Sequence, residues 1–409
     1  MEFREYQTEI IKTGTEIVKN KGFVYLTMEV RTGKTLTSLG IADKLKCKNV
    51  LFITKKKAIS SIESDYSLLS PGFTFQAINY ESIHKLPKIK WDMIICDEAH
   101  SMGAYPKPSK RAKQVKELLK YSNPKVILLS GTPTPESYSQ MYHQVYGIQY
   151  NPFSRYKNFY RFCDDYVNVT IRPIGGMSIR QYGGGKPSIL EKMQPYTISY
   201  TQAEAGFKVV TTEKFLTVKL EDTTYSIINT LKKNLVVQGK EEVILGDTAV
   251  KLMSKIHQLY SGTVKFESGN SKVLDLSKAR YIKEKFNNKK IGIFYKFKAE
   301  LDAIKEVYKE NVTTDLDEFN STNKSIALQI VSGREGISLR KAECLVYYNI
   351  DFSATSYWQS RDRMTTKDRL KNNVYWIFAE KGIEQKIYKA VSKKKDYTLN
   401  HFKRDFLLL

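Results

Sequence analysis

Cysteine is scarce in this sequence, and the little there is lies scattered. Cys47, Cys96, Cys163 and Cys344 are the four in 409 residues, and no two form a C-x-x-C pair. That spacing argues against a zinc ribbon or a disulfide framework and predicts a chain kept reduced, in the cytoplasm. Histidine is also rare, at five residues, with no cluster of acidic or histidine side chains to suggest a nuclease. No apolar run approaches the length that crosses a bilayer, and the opening Met1-Glu2-Phe3-Arg4-Glu5-Tyr6-Gln7 has no apolar signal region. The expectation is a soluble chain with no membrane partner. Acidic residues are the last deficit: Lys plus Arg number 66 against 43 Asp plus Glu, a formal charge of +23. An excess of that size points to a polyanion, nucleic acid before a membrane surface. The plain alternative is a set of solvated lysine-rich faces.

What is present suits two α/β domains. Hydrophobic residues make up 41% of the chain, enough for large cores. Short apolar runs at Phe23–Met28, Val50–Thr54, Phe75–Asn79, Met93–Cys96 and Val126–Leu129 alternate with helical patterns at Leu36–Lys46, Ala58–Leu68 and Lys110–Tyr121. That alternation predicts a parallel sheet covered by helices. After the first run, Met28-Glu29-Val30-Arg31-Thr32-Gly33-Lys34-Thr35 leads into a helix, the context of a phosphate-binding loop. Backbone N–H groups and Gly33 would cradle phosphates, Lys34 would reach the β- and γ-phosphates, and Thr35 would ligate Mg²⁺. Met28 stands where the first glycine of G-x-x-x-x-G-K-[ST] would be, and on its own the loop could be an ordinary turn. Asp97 and Glu98 end the run Met93–Cys96, at the strand edge where α/β ligands bind. Asp97 is assigned to Mg²⁺ and Glu98 to the attacking water, against the plainer reading of a helix cap.

Several motifs resemble those of superfamily 2 helicases and translocases, and they occur in the required order. Asp97-Glu98-Ala99-His100 looks like the D-E-A-H box, and Ser130-Gly131-Thr132-Pro133 like the motif that couples ATP state to nucleic-acid grip, through Ser130 and Thr132. Arg4, Tyr6 and Gln7 resemble the adenine-recognition motif, with Gln7 reading the base. Glu29 to Thr35 resembles the first motif of the chromatin-remodeller-like branch, where an acidic residue precedes the loop and the position of Arg31 is usually glycine. Asn79-Tyr80-Glu81-Ser82 resembles a first-lobe segment near the tracked strand, and Thr54 with Lys55, Lys56 and Lys57 sits where the family contacts the backbone.

Further on, Ser332-Gly333-Arg334-Glu335-Gly336 resembles the fifth helicase motif, touching nucleic acid through Ser332 and Gly333 and the nucleotide cleft through Gly336. Gln359-Ser360-Arg361-Asp362-Arg363 resembles the sixth. There Gln359 would lie near the γ-phosphate and Arg363 would be an arginine finger. The family's second arginine falls at Thr366, leaving Arg361, Lys367 or Arg369 as substitutes.

Between these halves the α/β rhythm lapses, from Tyr138 to about Lys219. Tyr142, Tyr146, Tyr150, Phe153, Tyr156, Phe159, Tyr160, Phe162 and Tyr166 form an aromatic stripe. It reads as a packed helical core, or as a surface stacking on bases with Arg155, Lys157 and Arg161 between. Val167–Ile174 and Met177–Tyr182 read as a hairpin across Gly175-Gly176. The second α/β lobe returns with strands at Ile291–Phe297, Ser325–Val331, Cys344–Ile350 and Val374–Phe378.

The expected architecture is α/β: two tandem RecA-like lobes, 1–150 and 273–409, with a protrusion at 151–219 and a helical connection at 220–272. The resemblance implies ATP and Mg²⁺ as cofactors and a nucleic-acid partner, DNA over RNA. It implies an ATP-dependent DNA helicase or duplex translocase, acting in replication, recombination or repair. A monomeric, compact, phage-type motor is the form expected. The competing readings are an RNA-dependent ATPase and a DNA-binding scaffold with weak ATPase activity.

Overall fold

The computed structural model describes residues 2–393, apart from 175–176, 334–336, 362 and 367. The expected hairpin tip at Gly175-Gly176, the expected nucleotide contact Gly336 and the candidate Lys367 therefore lie outside the described residues. The chain divides into two compact units, Met1–Phe207 and Lys208–Leu409.

The first unit opens with α1 (Glu5–Lys21) and β1 (Phe23–Met28). Gly22, at φ 81°, closes α1 in the left-handed conformation that glycine adopts without strain. Then follow α2 (Lys34–Lys44), β2 (Asn49–Thr54), α3 (Ile59–Leu69), β3 (Thr74–Asn79), β4 (Met93–Cys96), α4 (Lys110–Ser122) and β5 (Lys125–Leu129). Ser109 caps α4 by accepting from the Ala112 N–H at 3.1 Å. After α5 (Met141–Val145) and α6 (Phe159–Tyr166), β6 (Val167–Ile174) and β7 (Met177–Gly185) pair as an antiparallel ribbon outside either large sheet. Then α7 (Ser188–Met193) leads to β8 (Thr197–Tyr200). The sheet order is β3-β2-β4-β5-β1-β8, and every neighbouring pair is parallel.

Strand side chains alternate between two cores, as the pleat requires. Val24, Leu26, Phe52, Ile95 and Ile127 face α1 to α3, while Phe23, Tyr25, Ile53, Ile94 and Leu128 face α4 to α7. Burying both faces is why these strands are continuous apolar runs. The aromatic stripe joins the second core: Tyr142, Phe153, Phe159, Phe162 and Tyr166 are buried. Tyr150 and Tyr160 remain exposed, and Arg155 and Arg161 pair with Asp165 and Asp164.

The second unit starts with β9 (Val210–Val218), then α8 (Asp222–Asn234), the ribbon β10 (Val236–Gln238) and β11 (Val243–Leu245), and α9 (Ala249–Tyr260). A second ribbon, β12 (Thr263–Lys265) and β13 (Ser271–Val273), precedes α10 (Ser277–Lys285), β14 (Ile291–Tyr295) and α11 (Lys298–Tyr308). The rest is β15 (Val312–Thr313), α12 (Leu316–Ser321), β16 (Ser325–Gln329), α13 (Ile330–Gly333), β17 (Cys344–Tyr347), α14 (Ala354–Ser360), β18 (Lys371–Ala379) and α15 (Glu384–Val391). The order β15-β16-β14-β17-β18-β9 is again parallel throughout.

Two tandem α/β units with parallel sheets are thus present, as the sequence predicts, and each sheet has six strands. The segment 151–219 divides between them: β8 joins the first sheet beside β1, and β9 joins the second beside β18. Among the described residues no helix is long and apolar enough to cross a membrane, and all four cysteines are buried and free.

Candidate functional site

In the first unit, β2, β4, β5 and β1 are consecutive in the sheet, and each carries a predicted motif at its carboxyl end. Parallel strands bring those ends to one edge, which is where ligands bind in open α/β sheets. The loop after β1 turns through Arg31 at φ 66° and Gly33 at φ 83°. The value at Arg31 is the left-handed conformation glycine favours, which gives a physical reason for the glycine usual at that place. Gly33 also lies close under Gln7, whose Nε2 is 2.2 Å from where a Cβ would stand. Gln7 is buried; its Oε1 accepts from the Arg4 N–H at 3.0 Å and its amide nitrogen lies on the loop. The Tyr6 hydroxyl donates to the Thr32 carbonyl at 3.1 Å and accepts from Arg4 Nη1. Lys34 Nζ donates to the Met28 carbonyl at 3.0 Å, and a Cβ on Gly131 would sit 3.6 Å from that ammonium. Thr35 is partly buried in the first turn of α2.

Asp97 accepts from the Thr54 hydroxyl at 2.8 Å. Burial and the neighbouring Glu98 push its carboxyl up to about 6, while the Lys34 charge pulls it down. Glu98 sits at φ 50°, ψ 46°, a left-handed conformation that costs a side-chain-bearing residue about 1–3 kcal/mol and clusters at functional sites. The tight turn aims its carboxylate at His100, whose Nδ1 lies 3.2 Å from Glu98 Oε2 and 3.0 Å from Ser130 Oγ. Ser130 Oγ in turn accepts from the Thr132 N–H at 3.1 Å. The chain Glu98–His100–Ser130–Thr132 joins the ends of β4 and β5. The Thr132 hydroxyl is itself buried, with no hydrogen-bond partner among the described residues.

Thr54 and Tyr80, expected at the nucleic acid, are fully buried instead. Both serve Asp97: Thr54 holds its carboxylate, and the Tyr80 hydroxyl donates to its backbone carbonyl at 2.7 Å. A buried carboxylate needs such donors, and the strand-end threonine is the neighbour within reach. Lys55 and Asn79 are partly buried, with Lys56 and Lys57 exposed beside them.

In the second unit Gln359 and Arg363 sit at the end of α14 and just beyond, both buried. Arg363 Nε donates to the Gln359 carbonyl at 2.8 Å and Nη1 to the Ile337 carbonyl at 3.5 Å. Its neighbour Arg361 is paired with Glu213 of β9 at 2.9 Å. Arg369 donates to the carbonyls of Lys371, Arg340, Ala342 and Glu343, which ties together the loops before β17 and β18. Of the three substitutes proposed for Thr366, Arg361 and Arg369 are thereby committed to structural contacts. Ser332 is exposed and donates to the Gln329 carbonyl. Gly333 packs on the core, where a Cβ would meet Leu328 at 2.9 Å.

The donor set fits Mg²⁺ in one specific form. Among the described residues no three His, Cys, Asp or Glu gather as a protein cage. What the motifs supply is the Thr35 hydroxyl, in the first turn of α2, and the held Asp97 carboxylate at the end of β4. Such a pair suits an ion that takes its other ligands from phosphate and water.

Three residues bonded to these motifs, two in the first unit and one in the second, escape a reading of the sequence. Tyr200, at the end of β8, stacks on Tyr6 with centroids 4.6 Å apart. Gln202 bonds to Glu29 and Val30 of the loop. Glu213 also accepts from Tyr357, Trp376 and Tyr388. All three lie within 197–218, where no α/β rhythm announces them.

Residues 26–273 match the SNF2-related domain model. Among solved structures, the Sulfolobus solfataricus SWI2/SNF2 ATPase core in complex with double-stranded DNA is similar at 16% identity and a TM-score of 0.43, over 99% of this chain and 92% of that one. The Sulfolobus solfataricus SWI2/SNF2 ATPase core domain is similar at 16% identity and 0.40, over 96% and 89%. No curated protein matches the chain.

Proposed function

The chain belongs to the SNF2-related domain family and is a nucleic-acid-dependent ATPase, and from that premise we propose that it couples ATP hydrolysis to movement along double-stranded DNA. The observation that carries this reading is the gathering of Lys34, Thr35, Asp97, Glu98 and Ser130 at the carboxyl ends of adjacent parallel strands, with Glu98 tied to Ser130 through His100. Lys34 neutralises charge on the β- and γ-phosphates, and the loop N–H groups with the α2 N-terminus hold them. Thr35 and Asp97 would hold Mg²⁺, which when bound would offset charge on the phosphate oxygens. Glu98 orients the attacking water and takes its proton. Gln7 and Arg4 are assigned to the adenine side, Arg363 to the charge on the transferring phosphoryl group, and Gln359 and Gly336, the latter outside the described residues, to the nucleotide. Because His100 touches both Glu98 and Ser130, a change at the γ-phosphate shifts the loop after β5, and this is the step that converts hydrolysis into altered grip on DNA.

A charge of +23 supports a polyanionic partner. Lys55, Asn79 and Ser332 are the residues proposed to contact it, and buried Gly333, like Thr54 and Tyr80, is not among them. The Sulfolobus solfataricus ATPase core has been seen with double-stranded DNA, and duplex DNA is proposed as this chain's track. A monomeric motor serving replication, recombination or repair, in a reducing cytoplasm where the four buried thiols stay free, completes the proposal.

The test is ATP turnover measured in parallel without nucleic acid and with single-stranded DNA, duplex, branched DNA and RNA, together with displacement of a third strand from a triplex. Stimulation by duplex with triplex displacement is expected. Stimulation by RNA alone would replace the reading with an RNA-dependent ATPase. Turnover no higher than that of Glu98→Gln would leave a DNA-binding scaffold.

A further inference from the structure

The acidic residue that precedes the phosphate loop is bonded to the stretch of chain that leads out of the first unit. Glu29 Oε2 accepts from the Gln202 N–H at 2.7 Å, and Gln202 Nε2 donates to the Val30 carbonyl at 2.8 Å. The Glu29 N–H donates to the Tyr200 carbonyl at 2.9 Å, extending the β1–β8 ladder into the loop. Behind this, Tyr6 lies between the two segments: it stacks on Tyr200, and its hydroxyl bonds to Thr32. The nucleotide loop and residues 200–202 are thus held by backbone, amide, carboxylate and ring contacts at once.

From there the chain has little slack. Thr201 and Glu204 close a turn, with the Thr201 N–H and hydroxyl each donating to Glu204 Oε2 at 2.7 Å. The Phe207 N–H returns to the Gln202 carbonyl at 2.9 Å, with Ala205 and Phe207 buried. Only Lys208 and Val209 separate Phe207 from Val210, where β9 begins. β9 is paired with β18 from Val210 to Val218, so it moves with its sheet as a rigid element. On it sits Glu213, which accepts from Arg361, Tyr357, Trp376 and Tyr388. Two of those donors, Tyr357 and Arg361, belong to α14 or the residue after it, the element that presents Gln359 and Arg363.

We propose that Glu29 and Gln202 are positioning residues of the ATPase cycle: they latch the phosphate loop to the 201–209 passage, which relays the loop's conformation through β9 and Glu213 to α14. The inference rests on the nucleotide-loop reading above, and it assigns a part to Glu29 that adenosine or phosphate contact does not require. It also accounts for an acidic side chain beside a phosphate site, where charge alone would be unfavourable. With its carboxylate turned to the Gln202 N–H, the Glu29 charge is stabilised by a charge-assisted hydrogen bond.

Hydrogen exchange on the full chain, with ADP and with a non-hydrolysable ATP analogue, reads the latch directly in peptides covering 201–218. Exchange there should differ between the two nucleotides in the parent protein and become indifferent to them in Glu29→Ala and in Gln202→Ala. DNA-stimulated kcat should fall about tenfold in Gln202→Ala, in the range of measured coupling energies, with KM for ATP within about twofold. Glu29→Gln keeps an oxygen acceptor for the Gln202 N–H and should retain the nucleotide response. The proposal is overturned if Glu29→Ala keeps that response, or if Glu29→Gln loses as much as Glu29→Ala. Absence of any DNA stimulation in the parent protein would overturn the translocase reading, and the exchange measurement would still decide the latch.

Discussion

The two units share an architecture and differ in how their charged motif residues are held. In the first, neighbouring strand ends carry Lys34, Asp97 and Glu98, with backbone strain at Arg31 and Glu98 and a carboxyl at Asp97 pushed up to about 6 by burial and by Glu98. In the second, the arginines are held: Arg363 by two carbonyls, Arg361 by Glu213, Arg369 by four carbonyls. The first unit holds its carboxylates under burial and backbone strain, and the second fixes its arginines by hydrogen bonds. The largest expected effect breaks the first unit's chemistry. Lys34→Ala should lower ATP turnover by about 10³-fold or more, with salt-sensitive DNA binding nearly unchanged in a filter or anisotropy assay. Retained turnover would refute the assigned loop.

The second unit should break at its buried ion pair. Lys278 and Glu384 are fully buried 2.7 Å apart, with Lys278 also donating to the Tyr348 carbonyl at 3.3 Å. Lys278→Met leaves a buried carboxylate without its partner and should destabilise the second unit by about 3–5 kcal/mol. Lys278→Met with Glu384→Leu should recover most of that loss. Chemical unfolding followed by a probe in each unit checks both, and the first unit's transition should not move. An equal shift in both units would show that the two sheets unfold as one.

Arg363→Ala compares the units at the chemistry itself. It should lower kcat by about 10²-fold or more with KM for ATP changed far less, as expected of a group felt in the transition state. A change confined to KM would make Arg363 a binding residue. Because Arg361 and Arg369 are committed to structural contacts, Arg361→Lys should instead act through stability, since a lysine cannot keep the same geometry against Glu213 and the Tyr357 hydroxyl.

These contrasts explain what could be read beforehand. Strands such as Met93–Cys96 and Ile291–Tyr295 are buried on both faces, so they had to be written as unbroken apolar runs, and both sheets and their motifs were legible. β8 and β9 are edge strands with partly exposed faces. Thr211, Thr212, Glu213 and Lys214 break the apolar pattern of β9, and the stretch read as an irregular protrusion. Thr54 and Tyr80 went the other way. Their polar atoms suggested a surface, but in the fold they are donors to Asp97 and its backbone, a need no local pattern reveals. Glu29 was legible as an acidic residue before the loop, while its partner Gln202 lies 173 positions away in sequence.

The smallest expected effect is a pH dependence that sets the units apart. His257 on α9 is fully buried, its Nε2 2.6 Å from Asn349 Oδ1, between the rings of Phe297 and Phe352. Burial first, and then the charges of Lys296 and Lys278, hold its pKa well below 6.5. The unfolded chain takes up this proton below about pH 6.5 while the folded unit refuses it, so stability is full above that pH and falls as pH drops toward the folded value. Glu300, bonded to the other end of Asn349, has its carboxyl raised by burial and acts in the opposite sense: the folded unit gains stability as that group protonates. The two terms offset each other in the parent protein, and a substitution separates them. His257→Gln keeps a donor for Asn349 without a titrating ring, so between pH 7.5 and 5.5 it should lose about 1 kcal/mol less stability than the parent. In the first unit His143 is lowered by burial beside the Pro106 carbonyl, with Lys116 as the neighbouring charge, a weaker form of the same arrangement. His143→Gln should therefore flatten the acid response of the first unit less than His257→Gln flattens that of the second. Equal flattening would mean that burial alone, and not the lysines around His257, governs both.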